Sequence, residues 1–390
     1  MAPSYELVVL HQNLDAVAAE VQYEIQAATN EIFLQPDLVT FSGALDPSAS
    51  HEQVAVVYVA TTGAASDNAV DEQLRLAIEN DIPILPVVRA VDPGEVHQKL
   101  PDRIKHINAI DWDDSRGPSK NAILSVLGLT EPDRRAFLSY FRRETTTFAV
   151  QLHTALAEAR FDVFLDRFAV PPGADFQERL DQDLGDKAFV VLIESPGLRS
   201  SQWVQHEISY AHSHRIGILA ITMPGTKPEE LVPSIDEAFR ERLAPDDLGP
   251  DGRISEAALR RLLDRIESRH ARELRRRREQ LIGSLRDKLF MEGCTSEPIG
   301  EWALLASAPG HKSSVFLVTP RRPRPQDLYA LHLVHQRAAG IAGGTLGAAV
   351  VHETEHISVE DHLLLEWIGE PRQFESILLR GCALAKEPAA

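Results

Sequence analysis

Short apolar runs and amphipathic stretches take turns along the first third of the chain. Between Tyr5 and Trp112, LVVL, EIFL, VAVVYVA and IPILPVV are separated by 13–29 and 67–80, where apolar residues recur every three or four positions. Runs this short suit strands, and the longer period suits helices. Their alternation predicts a parallel sheet with helical crossovers. VAVVYVA carries no polar alternation, as expected of a central strand covered on both faces.

The same grammar restarts after Thr130. AFLSY, DVFLD, AFVVLIE and IGILAIT read as strands, with helices expected over 146–159, 175–184 and 202–214. Between the two segments DDSRGPSK (113–120) reads as a linker or ordered loop, with Gly117 and Pro118 as breakers. Farther on, Leu259, Leu262, Leu263, Ile266, Leu274, Leu281, Ile282, Leu285 and Leu289 keep close to a 3.6-residue period, predicting one long amphipathic helix or a broken pair. Its run Arg275–Arg278 reads as a solvated face. A last segment has strands at WALLAS, SVFLVT, LGAAVV and SILLRG and helices over 325–339 and 358–367. The expectation is an α/β protein in four parts: 1–130, 131–250, a helical connector 251–292, and a small α/β part 293–390.

A length of 390 residues supports that division, since domains usually span about 100 to 200 residues. The formal charge of −18 disfavours direct attraction to nucleic acid or anionic membrane. No stretch is long and apolar enough to cross a bilayer. With two cysteines and no basic, apolar leader at MAPSYELVVLHQN, a reducing cytoplasm is the expected location.

Candidate chemistry gathers in the second segment. SSQWVQHEISYA (200–211) begins with serines that can cap a helix, then places Trp203 in its first turn and Glu207 four residues later. That spacing predicts an indole and a carboxylate on one wall, near the carboxyl ends of the strands, where open parallel sheets bind ligands. Three further blocks precede it in order: FLSYFRRE (137–144), FDVFLDRFAVPPGADF (161–176) and AFVVLIESP (188–196). Together they resemble a Toll/interleukin-1 receptor (TIR) domain: the strand-A box, the second strand with its Pro-Gly BB loop, a central strand and the family's S-x-W-C-x-x-E-L. Phe141 is an insertion between Tyr140 and the arginines, and Val204 stands where cysteine is common.

The resemblance implies a flavodoxin-like parallel sheet and, for members keeping the glutamate, cleavage of the nicotinamide–ribose bond of NAD+. NAD+ is then a substrate, and no cofactor or metal is expected. The bond breaks through an oxocarbenium-like state that a carboxylate can stabilise or attack. The resemblance assigns that role to Glu207. Trp203 would pack on a substrate ring, Arg142 or Arg143 would meet phosphate or line the mouth, and Tyr140 and Asp166 would complete the binding set. It further implies a bacterial anti-phage effector activated by self-association of TIR domains, with a protein or nucleotide trigger acting through the C-terminal part. Two alternatives stand beside it: a TIR scaffold that only assembles with partners, and a cyclase forming a cyclic ADP-ribose signal.

Segment one resembles a worn copy of the same domain. Its ASDNAVDEQLRLAIENDIPILPVV (65–88) lines up with the Glu207 block, setting Glu72 opposite Glu207 and Asn68 opposite Trp203, yet LVVLHQN lacks the Ser-Tyr-Arg box. In the last segment HETEH (352–356) spells H-E-x-x-H, with His362 at the position of a third metzincin ligand. Such a motif binds zinc when both histidines lie on one helix. Here GAAVV before it reads as a strand, and Ser358 to Asp361 as a capping box opening a new helix, which disfavours a peptidase.

Overall fold

The computed structural model describes residues 5–12, 15–32, 38–46, 53–60, 68–80, 82–89, 100–105, 107, 109–112, 116–130, 133–165, 184–300, 302–342, 346–353, 357, 359–369, 374–379 and 382. Within them lie three five-stranded sheets.

The first sheet uses β1 (Tyr5–His11), β2 (Val39–Ser42), β3 (Gln53–Val59), β4 (Ile84–Val88) and β5 (Ile110–Asp111), in the order β2-β1-β3-β4-β5. All of its pairings are parallel. Helices α1 (Asp15–Ile32), α2 (Asn68–Glu79) and α3 (Arg116–Val126) connect or follow the strands. Two expectations are corrected here. Glu31 and Ile32 of EIFL end α1, because the buried series Val17, Ala18, Val21, Ile25, Thr29 carries the helical period that far. The strand is instead the half-polar VTFS. DDSRGPSK is no simple linker either: α3 starts at Arg116, and Pro118 falls in its first turn, where a missing N–H costs nothing.

The second sheet comprises β6 (Arg135–Tyr140), β7 (Asp162–Phe164), β8 (Phe189–Glu194), β9 (Gly217–Thr222) and β10 (Arg240–Arg242), ordered β10-β9-β8-β6-β7 and parallel throughout. Counted along this segment the order is 2-1-3-4-5, the flavodoxin-like doubly wound arrangement, and the first sheet has the same order. Helices α4 (Arg142–Glu158) and α5 (Gln202–Ser213) cover opposite faces. Phe148, Leu152 and Leu156 of α4 pack on Ala136, Leu138, Val191 and Ile193, whereas Val204, Ile208 and Ala211 of α5 pack on Phe137, Val190 and Leu192. Strand β10 has no counterpart among the sequence expectations, being short and charged.

The long amphipathic span is one helix, α6 (Glu256–Met291), 36 residues and about 54 Å long. Its first half joins the α4-side core of the second sheet through Ala258, Leu262 and Ile266. Its second half packs Leu281, Ile282, Leu285 and Leu289 against the third sheet. Contacts accordingly divide the chain into two compact units, Leu129–Leu274 with Ile32–Pro36 in one and the remaining residues in the other. The arginine run is not a uniformly solvated face: Arg278 is buried, Arg277 pairs with Glu353 at 2.9 Å and Arg275 with Glu279 at 2.8 Å.

Buried charge concentrates beneath the second sheet. Arg134 Nη1 donates to Glu267 Oε2 at 3.0 Å and Nη2 to the Ala159 carbonyl at 2.9 Å, with the guanidinium 4.0 Å over the Phe161 ring. Arg135 pairs with Asp186 at 2.7 Å. His270 sits in the same layer, 3.0 Å from the Asp133 carbonyl and edge-on to Phe161. Complete burial and the adjacent Arg134 charge hold its imidazole at a pKa of about 4, so it is neutral at pH 7.

The third sheet, β11 (Thr295–Gly300), β12 (Ala303–Ser307), β13 (Ser314–Val318), β14 (Gly347–His352) and β15 (Phe374–Leu378), is mixed. β11, β12 and β13 pair antiparallel, then β13, β14 and β15 pair parallel, with α7 (Pro325–Ala342) and α8 (Val359–Gly369) as crossovers. β11 escaped the sequence reading because TSEPIG is polar and contains Pro298, which an edge strand tolerates. Among the described residues no helix is long and apolar enough to span a membrane.

Candidate active site

In the doubly wound order the chain leaves β6 toward β7 on one side and continues from β8 to β9 on the other. The crevice for a ligand therefore lies above the carboxyl ends of β6 and β8. Ser139 is the penultimate residue of β6, and strand alternation turns it toward α5 while Tyr140 turns toward α4.

Helix α5 forms because Ser201 caps it, its Oγ accepting the Val204 N–H at 3.4 Å, and because Val204, Ile208 and Ala211 form an apolar stripe at i, i+4, i+7. It stops at His214, after which Arg215 takes the left-handed conformation with φ of 55°. Inside that stripe lies one charged residue, Glu207, only 5% exposed. The Ser139 hydroxyl donates to its Oε2. Burying a carboxylate costs heavily unless donors meet it, so this hydroxyl is part of what makes Glu207 tolerable there.

Glu144, in the first turn of α4, accepts the Gly197 N–H at 2.9 Å and ties α4 to the loop leaving β8. A Cβ at Gly197 would meet the Glu144 carboxylate and the Phe141 ring, so a larger residue there would have to displace them. A second buried carboxylate, Glu194 at the end of β8, is fully engaged by the Thr222 hydroxyl at 2.8 Å, the Val232 N–H at 3.0 Å and Arg240 Nε at 3.1 Å. It holds β9, β10 and the segment between them together and is not a candidate for chemistry.

The remaining expected site residues are scattered around this centre. Trp203 lies one turn before Glu207 but is 52% exposed. The buried stripe centres on 204, 208 and 211, which leaves position 203 at its margin. Arg142 and Arg143 are both exposed in the first turn of α4. Tyr140 is buried on the face opposite Glu207. Asp166, the Pro-Gly loop and all but Leu184 of the helix expected over 175–184 lie outside the described residues. Sequence reading passed over Ser139, although the strand period and the box FLSY contained the signal.

Elsewhere the candidate chemistry dissolves. His352 ends strand β14 and is buried, so it does not begin a helix carrying H-E-x-x-H, and His356 lies outside the described residues. His362 is on α8, beside Glu366 at 3.2 Å. Among the described residues no group of three His, Cys, Asp or Glu side chains could hold a metal. Burial pushes the Cys382 thiol up to about 12 and raises that of Cys294, which leaves neither as a ready nucleophile.

Comparison with known proteins agrees with the four-block reading. The family model of the TIR domain matches residues 136–263. This segment is a TIR domain. The match takes in β6 to β10, Ser139, Glu207 and the first turns of α6. Among solved structures the chain is similar to the TIR domains in the activated Roq1 resistosome directly recognizing the pathogen effector XopQ, at 23% identity and a TM-score of 0.22. That alignment covers 23% of this chain and 58% of the other, little more than half its length. No curated protein matches.

Proposed function

We propose that the chain is a TIR-domain NAD+ glycohydrolase that works through Glu207. The observation carrying this reading is a carboxylate 5% exposed at the switch point of a TIR domain, held by a hydroxyl from the neighbouring strand. Placed beside the ribose of NAD+, the carboxylate stabilises positive charge as the C1′–nitrogen bond breaks and its electron pair leaves on nicotinamide. Water then adds to C1′ and releases a proton. Nicotinamide departs neutral, so no general acid is needed. Arg142 and Arg143, exposed in the first turn of α4, would meet the diphosphate.

Self-association through TIR domains is part of the proposal, as is a trigger sensed by the C-terminal part. Depletion of NAD+ in a bacterial cell under phage attack would be the biological outcome. Retention of the product as a cyclic ADP-ribose signal uses the same glutamate. The scaffold reading draws support from Trp203, whose exposed indole suits a protein contact as well as a substrate ring.

The test is nicotinamide release from NAD+ by the full chain at rising protein concentration, with products identified by mass spectrometry. Turnover that climbs with concentration and disappears in Glu207→Gln supports the enzyme. Absence of release in every assembled state would leave the scaffold.

A further inference from the structure

The Ser139–Glu207 contact joins a strand to a helix across the crevice, and both partners are almost fully buried. From it we infer that Ser139 is a positioning residue for Glu207: its hydroxyl holds the carboxylate through Oε2 in the orientation that faces the reacting ribose. The inference rests on the proposed NAD+ chemistry for its consequence, though not for its geometry.

Three features support it. Ser139 stands next to last in β6, on the face turned to α5, so the backbone of the central sheet holds it rather than a loop. Its neighbours along that face are apolar: Phe137 on the same strand, stacked on Phe164 with centroids 5.0 Å apart, and Leu192 directly opposite on β8. A hydroxyl among such groups has no packing role that alanine could not fill. Finally, Glu207 is a long side chain in a helix and has several rotamers, and the charge-assisted hydrogen bond from Ser139 favours the one that reaches β6. A carboxylate misplaced by about 1 Å can lose roughly a hundredfold in rate.

Ser139 touches no substrate in this reading and acts only through Glu207. Removing it should therefore change kcat with little change in KM, since substrate contacts made by Trp203 and the arginines are untouched.

The experiment compares wild type, Ser139→Ala and Ser139→Thr as full-length proteins of matched thermal stability, in nicotinamide release and in crystal structures. Expected are a kcat lower by about 10- to 100-fold in Ser139→Ala with KM within about twofold, and recovery in Ser139→Thr, which restores the hydroxyl. In the crystals the Glu207 carboxylate should rest on Ser139 in the wild type and adopt another rotamer in Ser139→Ala. A Ser139→Ala enzyme with wild-type kcat overturns the inference while leaving the NAD+ reading intact. An unmoved carboxylate overturns it as well, whatever the kinetics. If the wild type itself releases no nicotinamide, the NAD+ reading fails and the positioning role for catalysis falls with it.

Discussion

The first and second sheets share a strand order and differ where it matters. In both, the helix after the third strand buries residues at i, i+4 and i+7: Val70, Leu74, Ala77 in α2 and Val204, Ile208, Ala211 in α5. Aligning these stripes places Gln73, not Glu72, at the position of Glu207. Glu72 is exposed and bound to Arg75 at 2.8 Å, which corrects the sequence alignment by one residue. The Gln73 amide oxygen accepts the Leu45 backbone N–H at 2.6 Å, after β2. The penultimate residue of β1 is Leu10, where β6 has Ser139. One sheet thus keeps a hydroxyl–carboxylate pair at its switch point, while the other has an apolar residue and an amide occupied by the backbone. The same doubly wound frame therefore carries different side chains at its switch point in the two sheets.

The largest expected difference between the sheets is catalytic. Glu207→Gln should lower nicotinamide release by at least about a thousandfold, roughly 4 kcal/mol in the barrier, whereas Gln73→Ala leaves it within about twofold. Loss of activity in both variants would make the first sheet part of the active centre.

Stability should separate them next. Glu267→Ala strands the buried Arg134 guanidinium and should cost the second unit about 3–5 kcal/mol in denaturant melts. Removing Glu72 from the half-exposed Arg75–Glu72 pair of the first sheet should leave the melt nearly unchanged.

Acid distinguishes the sheets third. Folded His270 has a pKa of about 4 against 6.5 for a free imidazole, so the unfolded chain binds the proton first. Its contribution is complete above pH 6.5 and lost as pH falls to about 4. The loss amounts to about 3 kcal/mol at most, at 1.36 kcal/mol per pH unit. His270→Phe should flatten that part of the stability profile for the second unit; an unchanged profile would assign the acid sensitivity to other groups.

A smaller effect than that of His270 is expected at Gln73. Gln73→Ala should cost about 1 kcal/mol through the unpaired Leu45 N–H. A neutral result would mean that water replaces the amide at no cost, and the clamp after β2 would lose its meaning.

Much of the fold was readable because buried parallel strands and amphipathic helices leave periods in the sequence. VAVVYVA, AFVVLIE and IGILAIT are β3, β8 and β9 almost to the residue. Elements that are short, charged or at an edge left no such trace: VTFS, the RER of β10 and TSEPIG. Pro118 misled because a proline breaks a helix only after its first turn.

The sequence alone determined that a TIR domain lies in the second segment, that α5 carries Glu207, and that two segments repeat one α/β grammar. The first rests on a resemblance to the family's four blocks; the other two follow from local spacing, which the chain carries in one dimension. Tertiary structure decided the rest. Ser139 and Glu207 are 68 positions apart, and only the winding of β6, β8 and α5 brings hydroxyl to carboxylate. It likewise turned Trp203 outward and Tyr140 to the far face. Which side of a helix faces the sheet depends on everything packed beneath it, and no spacing within the helix records that.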